Sequence, residues 1–104
     1  MSMPSTSSSS SMSQRTLQEI TTQLGADEVI ARAKGFFPNR PSLYAAFLDK
    51  EGPGFCTFRG QGGEEIIIAV TAGADGGTRV TGSTYLFDMQ ISRFFATLNL
   101  EGVS

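Results

Sequence analysis

The chain has 104 residues, a formal net charge of −2, one cysteine and no histidine. This length suits one domain, a lone cysteine cannot form an internal disulfide, and no apolar run approaches the roughly 20 residues that a membrane-spanning helix needs. The eight basic residues (Arg15, Arg32, Lys34, Arg40, Lys50, Arg59, Arg79 and Arg93) are scattered, so the clustered charge that binds phosphate backbones is missing.

Residues 1–13 are mostly Ser, with Met, Thr and Pro, and contain too little apolar surface to offset the entropy of ordering. They read as a disordered tail, and residues 14–104 as a single α+β domain. Thr16 and Glu19 have capping-box spacing, and Leu17, Ile20 and Leu24 recur at helical intervals, which predicts a helix over 16–24. Asp27 can cap a second helix carrying Val29, Ile30 and Ala33, with Gly35 as its terminator. The two are either separate or one kinked helix.

From Ser42 the apolar period changes to two. Strands are predicted over 43–49, 55–59, 65–71 and 78–86, separated by the glycine-rich connections EGPG, GQGG and GADGG. Such short connections make neighbours antiparallel and the four strands a meander. Asp88 then caps a last helix in which Phe87, Ile91, Phe94, Phe95 and Leu98 form an apolar stripe. The C-terminal helix should pack on one sheet face, an outline that resembles half of a helix-grip domain.

The stretch KEGPGFCTF at 50–58 is close to a motif of RNA-recognition domains. Glu51 stands where that motif needs a base, however, and Pro53 where it needs a stacking aromatic. Pro-Gly in EGPG instead suits the two central positions of a type II turn, so the stretch reads as a hairpin, and nucleic acid is not an expected partner.

Without histidine, Ser-His-Asp, Cys-His and His-metal sites are unavailable. Cys56 alternates with Phe58 on an apolar strand face and reads as a buried, inert thiol. Glu64 and Glu65 are adjacent on a strand start and point to opposite sides, so they do not form a carboxylate pair. Asp75 suits a turn, and RGQGG at 59–63 opens a strand rather than the helix that phosphate loops open. No catalytic residue, cofactor or metal is expected, and the protein reads as noncatalytic and cytoplasmic, with no membrane partner.

Alternation directs Cys56, Phe58, Ile66, Ile68, Val70, Val80 and Leu86 toward the helices. It leaves Phe55, Thr57, Ile67, Ala69, Thr81, Ser83 and Tyr85 on the other face, which is more apolar than a wetted face usually is. The leading expectation is an interaction module that forms a homodimer or docks a protein partner through that face. The alternative is a carrier of a small apolar ligand, a lipid or aromatic metabolite, held between sheet and C-terminal helix by Phe58, Ile68, Leu86, Ile91, Phe94 and Phe95.

Overall fold

The structure is a computed structural model and describes residues 15–103, with side chains as far as residue 99. The expected disordered tail, residues 1–13, lies outside the described residues. The first described element is strand β1 (Thr16–Thr22), where the helical spacing of Leu17, Ile20 and Leu24 predicts a helix. TLQEITT is rich in β-branched residues, which lose side-chain freedom in a helix and pack well on a pleated surface. Its alternation also fits a strand: Gln18, Ile20 and Thr22 turn inward, while Leu17, Glu19 and Thr21 turn outward.

Helix α1 (Ala26–Phe36) follows, with Gly25 rather than Asp27 at its N-cap; Asp27 and Glu28 instead lie in the first turn, where carboxylates favour the positive end of the helix dipole. Two short 3-10 turns, Phe37–Asn39 and Ser42–Tyr44, lead into β2 (Ala46–Gly52). Strands β3 (Phe55–Gly60), β4 (Glu65–Ala72) and β5 (Thr78–Thr84) are joined by tight hairpins, and helix α2 (Asp88–Val103) ends the fold. At the β2–β3 turn Gly54 has φ of 76°, the positive value that the Pro-Gly reading requires.

The sheet is five-stranded and antiparallel, in the order β1-β5-β4-β3-β2. Strands β2 to β5 form the expected meander, while β1 pairs along β5 from Thr16↔Thr84 to Thr22↔Thr78. The α+β class and a terminal helix on one sheet face hold. A four-stranded sheet preceded by an extra helix does not, and the likeness to half a helix-grip domain extends only to a sheet backed by its last helix.

This strand order dictates the position of α1. It connects β1 at one edge to β2 at the other, a span of about 19 Å at the usual strand spacing, and eleven helical residues cover about 16 Å. Helix α1 therefore crosses a sheet face, held at the β2 side by Lys34 Nζ, 2.7 Å from Glu51 Oε2. Helix α2 packs beside it on the same face, over β1 and β5, close enough that a Cβ on Gly82 would meet Ile91 Cγ2 at 2.6 Å.

The core fills the layer between helices and sheet. Val29 and Ala33 of α1, Phe37, and Ile91, Phe94, Phe95 and Leu98 of α2 meet Cys56, Phe58, Ile66, Ile68, Val70 and Val80. Phe37 is the joint between the parts, with its ring centroid 5.0 Å from that of Phe58 and 5.1 Å from that of Phe94. Burying each such ring contributes about 1.5–3 kcal/mol, so this aromatic group fixes the helices to the sheet more firmly than the surface ion pairs can.

Candidate functional site

Both helices occupy one side of the sheet, and no described helix covers the other. The segment expected to be a helix, the one element with the freedom to wrap round that face, is instead the edge strand β1 and enlarges it. The pairing register sets out the uncovered face in rows. Lys50, Thr57, Ile67, Ser83 and Leu17 form the middle row, running from β2 to β1. Gly52, Phe55, Ala69, Thr81 and Glu19 form the next, and Phe47, Arg59 and Glu65 begin a third, which continues toward Tyr85 and Arg15.

The apolar groups stand out from this surface. Phe47 is 53% exposed, Tyr85 51% and Leu17 69%. Phe55 is half-buried because its ring lies over Gly52, where a Cβ would collide with Phe55 Cε1 at 2.4 Å. Ile67, Ala69, Thr81 and Ser83 are half-buried between neighbouring strands. Leu17 and Phe47 were not among the residues expected here. Helical spacing places Leu17 in a helix, and Phe47 sits in a strand apolar on both sides, where alternation selects no face.

Two expected placements need correction. Thr57 lies in the middle row but is only 6% exposed, and its hydroxyl accepts a hydrogen bond from the Lys50 N–H at 3.1 Å. The register skips Asp49 between Leu48↔Phe58 and Lys50↔Thr57, so Thr57 supports a β-bulge and offers no contact surface. Leu86, expected in the core, is 70% exposed because β5 ends at Thr84 and the alternation that would turn Leu86 inward ends with it. Phe87 is the next buried side chain.

Apart from Lys50, at the β2 edge of the middle row, the charge that the described residues place on the uncovered face lies at its ends and is paired there. At one end Arg15 Nη1 lies 3.2 Å from Glu65 Oε1, and Arg59 Nη2 lies 3.3 Å from Asp49 Oδ2 and 3.7 Å from Glu65 Oε2. The Arg15 guanidinium also stacks 4.8 Å from the Tyr85 ring centroid, and its Nε donates to Ser83 Oγ at 2.7 Å. At the other end Arg79 Nε lies 3.3 Å from Glu19 Oε2. Each end is electrically balanced, and Ile67, Ala69 and Thr81 lie between them.

The remaining candidate groups occupy structural positions. Cys56 is fully buried, and burial, reinforced by Glu51 and opposed by Lys34, pushes its thiol up to about 11. The 59–63 loop has no free anion cradle. Gly62 N–H donates to the Glu64 carboxylate at 3.0 Å, Gly60 N–H to Glu64 O at 2.7 Å and Gly63 N–H to Gly60 O at 3.1 Å. Glu65 serves the two arginines, so the adjacent glutamates act separately. Asp75 sits in the left-handed region at φ 59°, as a turn former. Among the described residues no three His, Cys, Asp or Glu side chains are grouped to hold a metal ion. No helix among them is long and apolar enough to cross a membrane.

Of the residues expected to face a ligand, Phe58, Ile68, Ile91 and Phe94 are completely buried and Phe95 nearly so, in direct contact with one another's layer. A groove of about 460 Å³ lies at the end of this layer, between the Arg40–Tyr44 segment and the first turns of α2. It reaches Leu86 and Phe87 but none of those five side chains. Comparison with protein-family models, curated proteins and solved structures finds no match.

Proposed function

We propose that this protein is a noncatalytic interaction module that pairs with a second copy of itself through the uncovered sheet face. The observation that carries the reading is the placement of both helices on one side of the sheet, with Phe47, Phe55, Ile67, Leu17 and Tyr85 on the other. Five strands of about seven residues give a face of roughly 24 by 24 Å, comparable in scale to the about 800 Å² of accessible surface that each partner contributes to a stable complex. The chain carries net negative charge, yet both ends of this face are balanced, so a second copy meets no like-charge barrier there. Face-to-face packing also suits the edges better than strand addition at β2 does. The bulge at Asp49 and the run Asp49-Lys50-Glu51 blunt that edge.

Sedimentation equilibrium on wild type and on Ile67→Asp tests the proposal. Wild type should be a dimer at micromolar concentration. Ile67→Asp places a charge in the centre of the contact and should give a folded monomer, with an unchanged far-ultraviolet spectrum. A wild-type monomer at 100 micromolar or above (about −5.5 kcal/mol or weaker) refutes the reading. So does an Ile67→Asp dimer of wild-type strength.

A further inference from the structure

The groove beside α2 is independent of the uncovered face and has a distinct chemistry. Its walls include Tyr44, Leu86 and Met89, all substantially exposed, and two guanidiniums, Arg40 and Arg93; among the described residues no carboxylate lines it, in a chain with more acidic than basic residues. Arg40 is held in place: its Nε donates to Gln90 Oε1 at 2.8 Å, and its guanidinium lies 4.9 Å from the Phe36 ring centroid. These contacts leave both its Nη groups without a hydrogen bond among the described residues. Arg93 has neither an ion pair nor a hydrogen bond among them, whereas Arg15, Lys34, Arg59 and Arg79 each face a carboxylate.

We propose that this groove binds a small amphipathic carboxylate, with its acid group between Arg40 and Arg93 and its apolar body against Leu86, Met89 and Tyr44. The volume of about 460 Å³ falls within the range of about 300–1,000 Å³ that small-molecule sites occupy. A planar guanidinium already oriented by Gln90 and Phe36 loses little freedom on meeting a carboxylate, and charge-assisted pairs are the stronger hydrogen bonds. The apolar walls add the affinity that an inorganic anion cannot use. This site is separate from the sheet face and does not require the dimer.

Titration of the full chain with octanoate and with 1-octanol, followed by amide chemical shifts, tests the proposal. Octanoate should give saturable shifts at Met89, Gln90 and Arg93, and 1-octanol should bind about tenfold or more weakly, the loss expected when a charge-assisted pair is missing. Arg93→Gln keeps a good helix former at an exposed position and should weaken octanoate by a similar factor. Ile67→Asp should leave octanoate binding unchanged, which separates this site from the proposed dimer face. The proposal fails if octanoate shows no saturation up to about 10 mM, if octanoate and 1-octanol bind equally, or if Arg93→Gln binds octanoate as wild type does.

Discussion

Gly82 offers a demanding test of how closely α2 packs on the sheet. It pairs with Ile68 on one side and Gln18 on the other, in the middle of β5. An added Cβ would lie 2.6 Å from Ile91 Cγ2, 3.2 Å from Ile91 Cδ1 and 3.3 Å from Phe95 Cζ. Carbon atoms prefer separations of about 3.5–4.0 Å, so Gly82→Ala requires a displacement of about 1 Å. Ile91 is completely buried, so its side chain cannot swing out into solvent, and movement of α2 is the expected response. Overpacking of this kind costs about 1–3 kcal/mol, and the loss of unfolded-state freedom on replacing glycine offsets about 0.4–1 kcal/mol of it. The 2.6 Å approach puts the cost in the upper half of its range, so the net expectation is a destabilisation of about 1–2.5 kcal/mol, or a Tm lower by about 4–20 °C for a domain of this size. Gly35→Ala is the control, because beyond the helix's own backbone and the adjacent residues no described atom lies within 4 Å of a Cβ there, and the residue lies inside α1. It should stabilise by about 0.5–1 kcal/mol. Urea unfolding of wild type and both variants measures the two changes. Equal stability of Gly82→Ala and wild type, or the same sign for both substitutions, refutes the packing argument.

Cys56 should resist iodoacetamide in the native protein and react at an ordinary rate in urea, because the raised thiol pKa keeps it neutral and burial excludes the reagent. The folded value of about 11 lies above the ordinary 9.0, so the neutral form is favoured by folding. The associated stability is complete below pH 9 and is lost between pH 9 and 11, up to about 3 kcal/mol; Cys56→Ala should flatten that part of the pH–stability curve. Thr84→Val removes a completely buried hydroxyl that donates to Glu65 O at 2.8 Å and accepts from Phe87 N–H at 3.3 Å. With both backbone groups left unpaired, chemical denaturation should show a loss of about 1–3 kcal/mol, whereas Thr81→Val on the uncovered face should change stability by under about 0.5 kcal/mol.

The meander was legible because its hairpins carry their own chemistry. Pro53-Gly54, the glycines of 60–63 and Asp75 with Gly76 each supply a turn, and the alternating Ile66, Ile68 and Val70 fix the inner face. The final helix was legible from Ile91, Phe94, Phe95 and Leu98. β1 was not, because Leu17, Ile20 and Leu24 satisfy a helical period by coincidence while the strand is decided by a distant partner, the free edge of β5. The content of TLQEITT, three threonines and an isoleucine in seven residues, was the available local signal. The groove arises between segments some fifty positions apart, as the Arg40–Gln90 hydrogen bond illustrates, and no local pattern brings them together. Exposure of Leu86 likewise depends on where β5 stops.

The proposed self-pairing is tested most directly by a mixed sample in which half the chains carry ¹³C-labelled isoleucine methyls and half are unlabelled. Isotope-filtered nuclear Overhauser spectra then report contacts between chains only. Transfer should run from the Ile67 methyls to the rings of Phe47, Phe55 or Tyr85 of the other copy, and the buried Ile66, Ile68 and Ile91 should show none. Absence of any interchain signal from Ile67 at dimer-forming concentrations, or signal arising from Ile20 alone at the β1 edge, contradicts it.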